Sequence, residues 1–125
     1  MKDNKYYQMN AIKLAYIGDA VFSLYVREHY VSNTEMKNSA LNKKVNSIVC
    51  AKNQALLLPE VLNMLNEEEK DIVLRARNAH VNNKAKNSSL TEYNLATQFE
   101  AIVGYLYLIK DNKKLDKILN LAVKD

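Results

Sequence analysis

Turn-forming residues are scarce in this chain. Two glycines and one proline among 125 residues leave little material for turns, and with abundant Leu, Ala, Lys, Glu and Asn they predict an all-α fold. Cysteine occurs once, at Cys50. That excludes an intramolecular disulfide and suits a reducing cytoplasm; Cys50 itself reads as a small core residue. No apolar run approaches the ~20 residues that cross a bilayer, and Met1-Lys2-Asp3-Asn4-Lys5 leads into no signal-peptide core. A soluble, cytoplasmic protein with no membrane partner is expected. Several cofactor signatures are missing as well. There is no P-loop or nucleotide-binding glycine pattern, no Glu-x-x-His pair of a di-iron bundle, and no His/Cys cluster for zinc.

What is present suffices for one core. At 48% hydrophobic, the chain is expected to form a single domain over residues 1–125. The charge is mildly basic, +4 from 18 basic and 14 acidic residues, which is compatible with a polyanionic partner without demanding one.

The two glycines, Gly18 and Gly104, lie inside long apolar segments instead of turns. Gly18 directly precedes Asp19, and Gly104 follows Glu100 by one helical turn. A glycine within a helix costs about 1 kcal/mol relative to alanine, so it marks close packing against another backbone. A carboxylate in such a segment is costly to bury without a proton, a donor or a cation. Two such pairs suggest two helices crossing closely and aiming Asp19 and Glu100 at one cation. Either carboxylate taken alone is also explained as a structural hydrogen-bond acceptor. Oxygen-only ligands favour a hard ion, Mg²⁺ or Mn²⁺. Ser23 and Thr97, each one turn away, offer hydroxyls.

Apolar periodicity places a first, central helix over about 10–30, with Tyr6 and Tyr7 in a preceding turn. Ser32-Asn33-Thr34-Glu35 has capping-box spacing and predicts a second helix over about 33–57. Its buried stripe would be Leu41, Val45, Ile48, Val49, Ala55 and Leu56. Pro59 would end it and open a short third helix over 59–65. Asn66 and Glu69 form a second capping box for a fourth helix. A fifth follows over about 91–110. A sixth covers 113–123, capped by Asn112, with Leu115, Ile118, Leu119 and Ala122 inward. Residues 81–90 read as a long loop.

Two basic groups can meet phosphates. Arg75 and Arg77, with Asn78, lie at the end of the fourth helix, and Lys84 and Lys86 follow in the loop. Lys43, Lys44 and Lys52 form the other group; Lys44 and Lys52, eight residues apart on one helix, would share a face. For any one of these residues taken alone, a solvated surface is the first reading; only as groups do they point to phosphates.

Leu14-Ala15-Tyr16-Ile17-Gly18-Asp19-Ala20-Val21-Phe22 resembles the signature helix of the ribonuclease III catalytic domain. Phe99-Glu100-Ala101-Ile102-Val103-Gly104-Tyr105-Leu106-Tyr107-Leu108 resembles that domain's second catalytic helix. Leu24 to His29, Val49 to Ala55 and Arg75 to Ala79 are similar to stretches of the Mini-ribonuclease III family, which lacks a separate double-stranded-RNA-binding domain. The resemblance spans about residues 10 to 120.

It implies an all-helical homodimer, of the ribonuclease III endonuclease type, that cleaves double-stranded RNA with Mg²⁺, Mn²⁺ substituting. The implied substrate is precursor 23S ribosomal RNA, with possible help from a ribosomal protein. The products would carry 5′-phosphate and 3′-hydroxyl ends. Asp19 and Glu100 match the two essential carboxylates and metal ligands. Lys43, Lys44, Lys52, Arg75, Arg77, Asn78, Lys84 and Lys86 would carry RNA binding. The larger ribonuclease III enzymes have two further acids, at positions that are Ala15 and Thr97 here, and Asn42 stands where the subfamily often has histidine. A catalytically silent RNA-binding module of the same fold is the alternative, as is a plain helical interaction protein.

Overall fold

The computed structural model describes residues 4–79 and 88–123, with the backbone alone at 88–90. The described residues form six helices and no strand: α1 (Ala11–Asn33), α2 (Asn38–Val49), α3 (Ala51–Leu62), α4 (Glu67–Asn78), α5 (Ser88–Leu108) and α6 (Asn112–Val123). The expected all-α class holds.

Local chemistry sets most helix ends. The Asn10 side chain caps α1 by accepting from the backbone N–H groups of Ile12 and Lys13, at 2.7 and 3.3 Å. Asn66 and Glu69 form the anticipated reciprocal box at α4. Glu69 also accepts an ion pair from Lys114 at 2.7 Å, tying α4 to α6. At the end of α5, Lys110 adopts a left-handed φ of 66°. Its N–H and that of Asp111 turn back to the carbonyls of Tyr107 and Leu106, stopping the helix two residues before the expected 110.

Five expectations are corrected. The Ser32–Glu35 spacing starts no helix. α1 runs on to Asn33, and Asn33 and Thr34 donate their side chains to the carbonyls of His29 and Tyr30, both at 2.7 Å; these residues close a helix instead of opening one. The single helix over 33–57 is two helices, because Cys50 is extended (φ −71°, ψ 159°). Cys50 is exposed, not buried. Pro59 lies inside α3, on its exposed side, where solvent can serve the carbonyl that proline leaves unbonded. The cap of α6 is Asp111, which accepts from the N–H of Lys114 at 3.2 Å, one residue before Asn112.

The core centres on α1 and α5, which pack against each other more extensively than any other pair. Leu14, Phe22 and Val26 of α1 and Phe99, Ile102, Val103 and Leu106 of α5 share one core cluster, all fully buried. The rings of Phe22 and Phe99 stand edge to face at 5.0 Å, a favourable aromatic geometry. α3 and α4 cover other flanks of α5.

Candidate active site

The glycines decide how the two central helices cross. A Cβ built on Gly18 would stand 1.8 Å from the carbonyl oxygen of Glu100, and one on Gly104 would stand 1.9 Å from that of Leu14. The Gly18 position would also meet the Gly104 nitrogen at 2.9 Å. Backbone touches backbone here, and no side chain can yield. Only glycine permits this approach.

The crossing brings the carboxylates together. Asp19 is exposed at the mouth and Glu100 is half-buried. Their side chains share a hydrogen bond. Burial, and then the charge of Asp19, push the Glu100 carboxyl from 4.5 up to about 8; a hydrogen bond from Gln54 opposes the rise. In the metal-free protein at neutral pH, Glu100 therefore mostly keeps its proton and donates it towards Asp19. Neither acid forms an ion pair among the described residues. The pair borders an open cleft of about 370 Å³ lined by Ile12, Ala15, Tyr16, Asp19, Tyr93, Thr97 and Glu100. Two oxygen ligands whose mutual repulsion is left to a proton form a donor set suited to a hard divalent cation. No group of three or more His, Cys, Asp or Glu gathers among the described residues, so the protein side of such a site is this pair.

A profile of the ribonuclease III domain matches residues 12–111. The chain belongs to the ribonuclease III family. It is 40% identical to Mini-ribonuclease 3 of Clostridium tetani, over 93% of this chain and 78% of that protein. It is 39% identical to Mini-ribonuclease 3 of Enterococcus faecalis, over 99% and 94%. It is also similar to a Fusobacterium nucleatum protein of known crystal structure, with a TM-score of 0.80 at 36% identity over 92% of each chain. These matches place it in the Mini-ribonuclease 3 branch. As a member of this family the chain is a double-strand-specific endoribonuclease. Ribonuclease III enzymes depend on a divalent metal ion, act on double-stranded RNA and are typically dimeric. No described helix is long and apolar enough to cross a membrane.

Ala15 and Thr97, where larger ribonuclease III enzymes carry acids, both line the cleft. The Thr97 hydroxyl donates to the Tyr93 carbonyl at 2.9 Å; Ser23 is not among the lining residues. The basic residues are dispersed. Lys43 and Lys52 are exposed, but the break at Cys50 puts them on different helices, so the eight-residue spacing of Lys44 and Lys52 sets no common face. The Lys44 ammonium sits over the Tyr30 ring at 5.6 Å. Arg77 and Asn78 are exposed. Arg75 is engaged within the fold: it donates to Asp71 at 3.2 Å and to the Tyr7 carbonyl, and stacks on the Tyr7 ring. Lys84, Lys86 and His80 lie outside the described residues. Asn42 lines a separate cleft with Arg27 and Val31.

Two kinds of site residue escaped the sequence reading. Tyr16 and Tyr93 flank the carboxylates although they are 81% and 56% exposed; the helical pattern gave neither a role. Gln54 reaches Glu100 from α3. Its signal was available: Ala51, Gln54, Leu58 and Val61 recur at helical spacing, and Leu58 and Val61 are buried. Treating 33–57 as one helix put the stripe on Leu56 instead, which is 70% exposed.

Proposed function

We propose that Asp19 and Glu100 are the metal ligands and catalytic carboxylates of this endoribonuclease, and that the ion is Mg²⁺, with Mn²⁺ able to substitute. The single observation that carries the reading is the glycine-to-glycine crossing that joins two acids, 81 positions apart in sequence, in one open cleft. A bound ion would supply positive charge at the phosphate and a more acidic water. The protein's own part is positional. The backbone contact at Gly18 and Gly104 holds the two carboxylates at a set separation, and half-burial of Glu100 strengthens its interaction with a cation once its proton is displaced. Ala15 and Thr97 add no charge to the cleft. Two protein carboxylates support one firmly held ion more readily than two, with phosphate and water completing its shell.

The reaction is phosphodiester hydrolysis leaving 5′-phosphate and 3′-hydroxyl ends. The working unit is a homodimer of single-domain chains, residues 1–125, in the cytoplasm, each copy addressing one strand of the duplex. The substrate is precursor 23S ribosomal RNA, with a ribosomal protein assisting. Lys43, Lys44, Lys52, Arg77, Asn78, Lys84 and Lys86 supply the grip on phosphates and 2′-hydroxyls. Arg75 joins them through the backbone it anchors. The test is Asp19→Asn assayed on duplex RNA with Mg²⁺. Cleavage is expected to vanish while duplex binding survives; cleavage at the native rate removes Asp19 from the site.

A further inference from the structure

Asn94 and Gln98 form a polar relay on α5 that neither the core nor the carboxylate pair accounts for. Gln98 is 5% exposed and sits between Thr97 of the cleft and Phe99 of the core. Its Nε2 donates to the Asn94 Oδ1 at 2.6 Å. The Asn94 Nδ2 donates in turn to the Arg77 carbonyl at 3.2 Å, in the last turn of α4. Both bonds run in one direction, and bonds in such a series strengthen one another. Helix stability alone calls for neither residue. Asparagine is a poor helix former, and burying an amide costs more than burying an apolar side chain. A carbonyl at the exposed end of a helix can be served by water. What the relay does achieve is a link between two elements. Tyr93 and Thr97, which directly precede Asn94 and Gln98, line the cleft, and Arg77 and Asn78 stand exposed at its other end.

We propose that Asn94 and Gln98 are positioning residues for the RNA duplex, holding the last turn of α4, with the Arg77 and Asn78 side chains, in a fixed place relative to the cleft. The inference rests on the assignment of Arg77 and Asn78 to the RNA surface. The last turn of α4 is held on two sides. Arg75 ties it to the Tyr7 carbonyl of the N-terminal turn, and Asn94 ties it to α5, the helix that carries Glu100. Gln98 fixes the plane of the Asn94 amide by occupying its oxygen, which aims the N–H group at Arg77. Asn94 grips the Arg77 backbone and leaves the guanidinium to solvent, so the hold takes no charge from the RNA surface. A fixed origin for a long side chain lowers the ordering cost of its contact with a phosphate. A binding group supported by packed helices is also placed more precisely than one on a free helix end. The relay therefore acts on the grip of the duplex and leaves the chemical step alone.

Affinity for a short RNA duplex in the presence of chelator, where cleavage cannot proceed, reads the role apart from chemistry; kcat and KM with Mg²⁺ complete the test. The variants are Asn94→Ala, Gln98→Met, the pair Arg77→Ala and Asn78→Ala, and that pair combined with Asn94→Ala. Asn94→Ala and Gln98→Met are each expected to weaken duplex binding by about 3- to 10-fold, the lower part of the range for coupling within one hydrogen-bonded network. KM should rise alike, with kcat within about twofold of native. Added to the Arg77 and Asn78 pair, Asn94→Ala is expected to cost no further affinity, because the side chains it places are gone. Native affinity in Asn94→Ala, with loss in the Arg77 and Asn78 pair, overturns the relay and leaves the RNA surface standing. A loss from Asn94→Ala that persists undiminished in the paired background overturns it too, since the effect would then be a general loosening of the fold. So does a fall in kcat at native affinity, which would place the relay in the chemical step. Native affinity in the Arg77 and Asn78 pair overturns the RNA surface, and the relay with it. Should Gln98→Met fail to fold, Asn94→Ala carries the test with the same outcomes.

Discussion

Replacing Gly18 with alanine adds one methyl group at the point where the fold and the site share an atom. The new carbon would stand 1.8 Å from the Glu100 carbonyl oxygen. Restoring ordinary contact requires α1 and α5 to part by about 1.5 Å, and both surfaces there are backbone within close-packed helices. Radial gaps of half that size already forfeit about a quarter to a half of each dispersion contact they open. The packing at risk is that of the core cluster shared by the two helices, with the Phe22–Phe99 ring contact in it. Overpacking a core costs typically ~1–3 kcal/mol, and alanine returns about 1 kcal/mol through helix propensity. With no flexible side chain to absorb the clash, the cost lies at the top of that range and the net loss should be about 2 kcal/mol, or roughly 7 °C in Tm for a chain of this size. Because Gly18 adjoins Asp19 and the opposing atom belongs to Glu100, the carboxylates also move apart. A shift of about 1 Å at a reacting centre is worth about 10²-fold in rate. The assay is thermal unfolding followed by circular dichroism, with duplex-RNA cleavage measured well below the variant's own Tm. A Gly18→Ala protein that melts within about 2 °C of the native one and cleaves at the native rate would falsify the backbone-contact argument. Gly104→Ala, meeting the Leu14 carbonyl at 1.9 Å, should behave alike.

Three further outcomes are expected. Glu100→Gln should abolish cleavage yet raise the stability of the metal-free protein by on the order of 1–2 kcal/mol, since it removes a carboxyl strained by burial and by Asp19, with solvent softening the effect; a lower Tm for that variant contradicts the reading. The metal-free native protein should lose stability as pH rises from 4.5 to about 8. In that window the unfolded chain has released a proton that folded Glu100 retains, so the slope is negative, and it levels off above the window; denaturant melts across it, with Glu100→Gln as the flat control, test the sign. Lys52→Ala should reduce the salt dependence of duplex binding by about one unit of slope, whereas Arg75→Ala should leave that slope alone and cost about 1–2 kcal/mol of stability through its lost bonds to Asp71 and Tyr7. The reverse pattern would return Arg75 to the RNA surface.

Much of the site was legible in one dimension because its physical demand is local and unusual. A glycine inside an apolar helix, one turn or less from a carboxylate, has few structural explanations, and the chain offers two such pairs. Asn66 and Glu69 were legible for the same reason, since a capping box lies within one turn of backbone. Ser32–Glu35 shows the limit of such reasoning. The same spacing serves a helix that starts or one that ends, and the carbonyls of His29 and Tyr30 decided between them. Leu56 was misread and Gln54 passed over, because a single extended residue at Cys50 re-phases every position after it.

The sequence by itself determined the helical class, the central place of the first helix and the candidate pair of carboxylates, because helical periodicity and the cost of burying charge act residue by residue. Only the tertiary structure decided that burial and Asp19 raise the Glu100 carboxyl, that Arg75 is spent on Tyr7 and Asp71, and that Gly18 and Gly104 meet backbone to backbone. Each of those depends on which surfaces exclude water and which side chains meet across helices, and the energy of a charge or an amide is set by those neighbours far more than by its place in the chain.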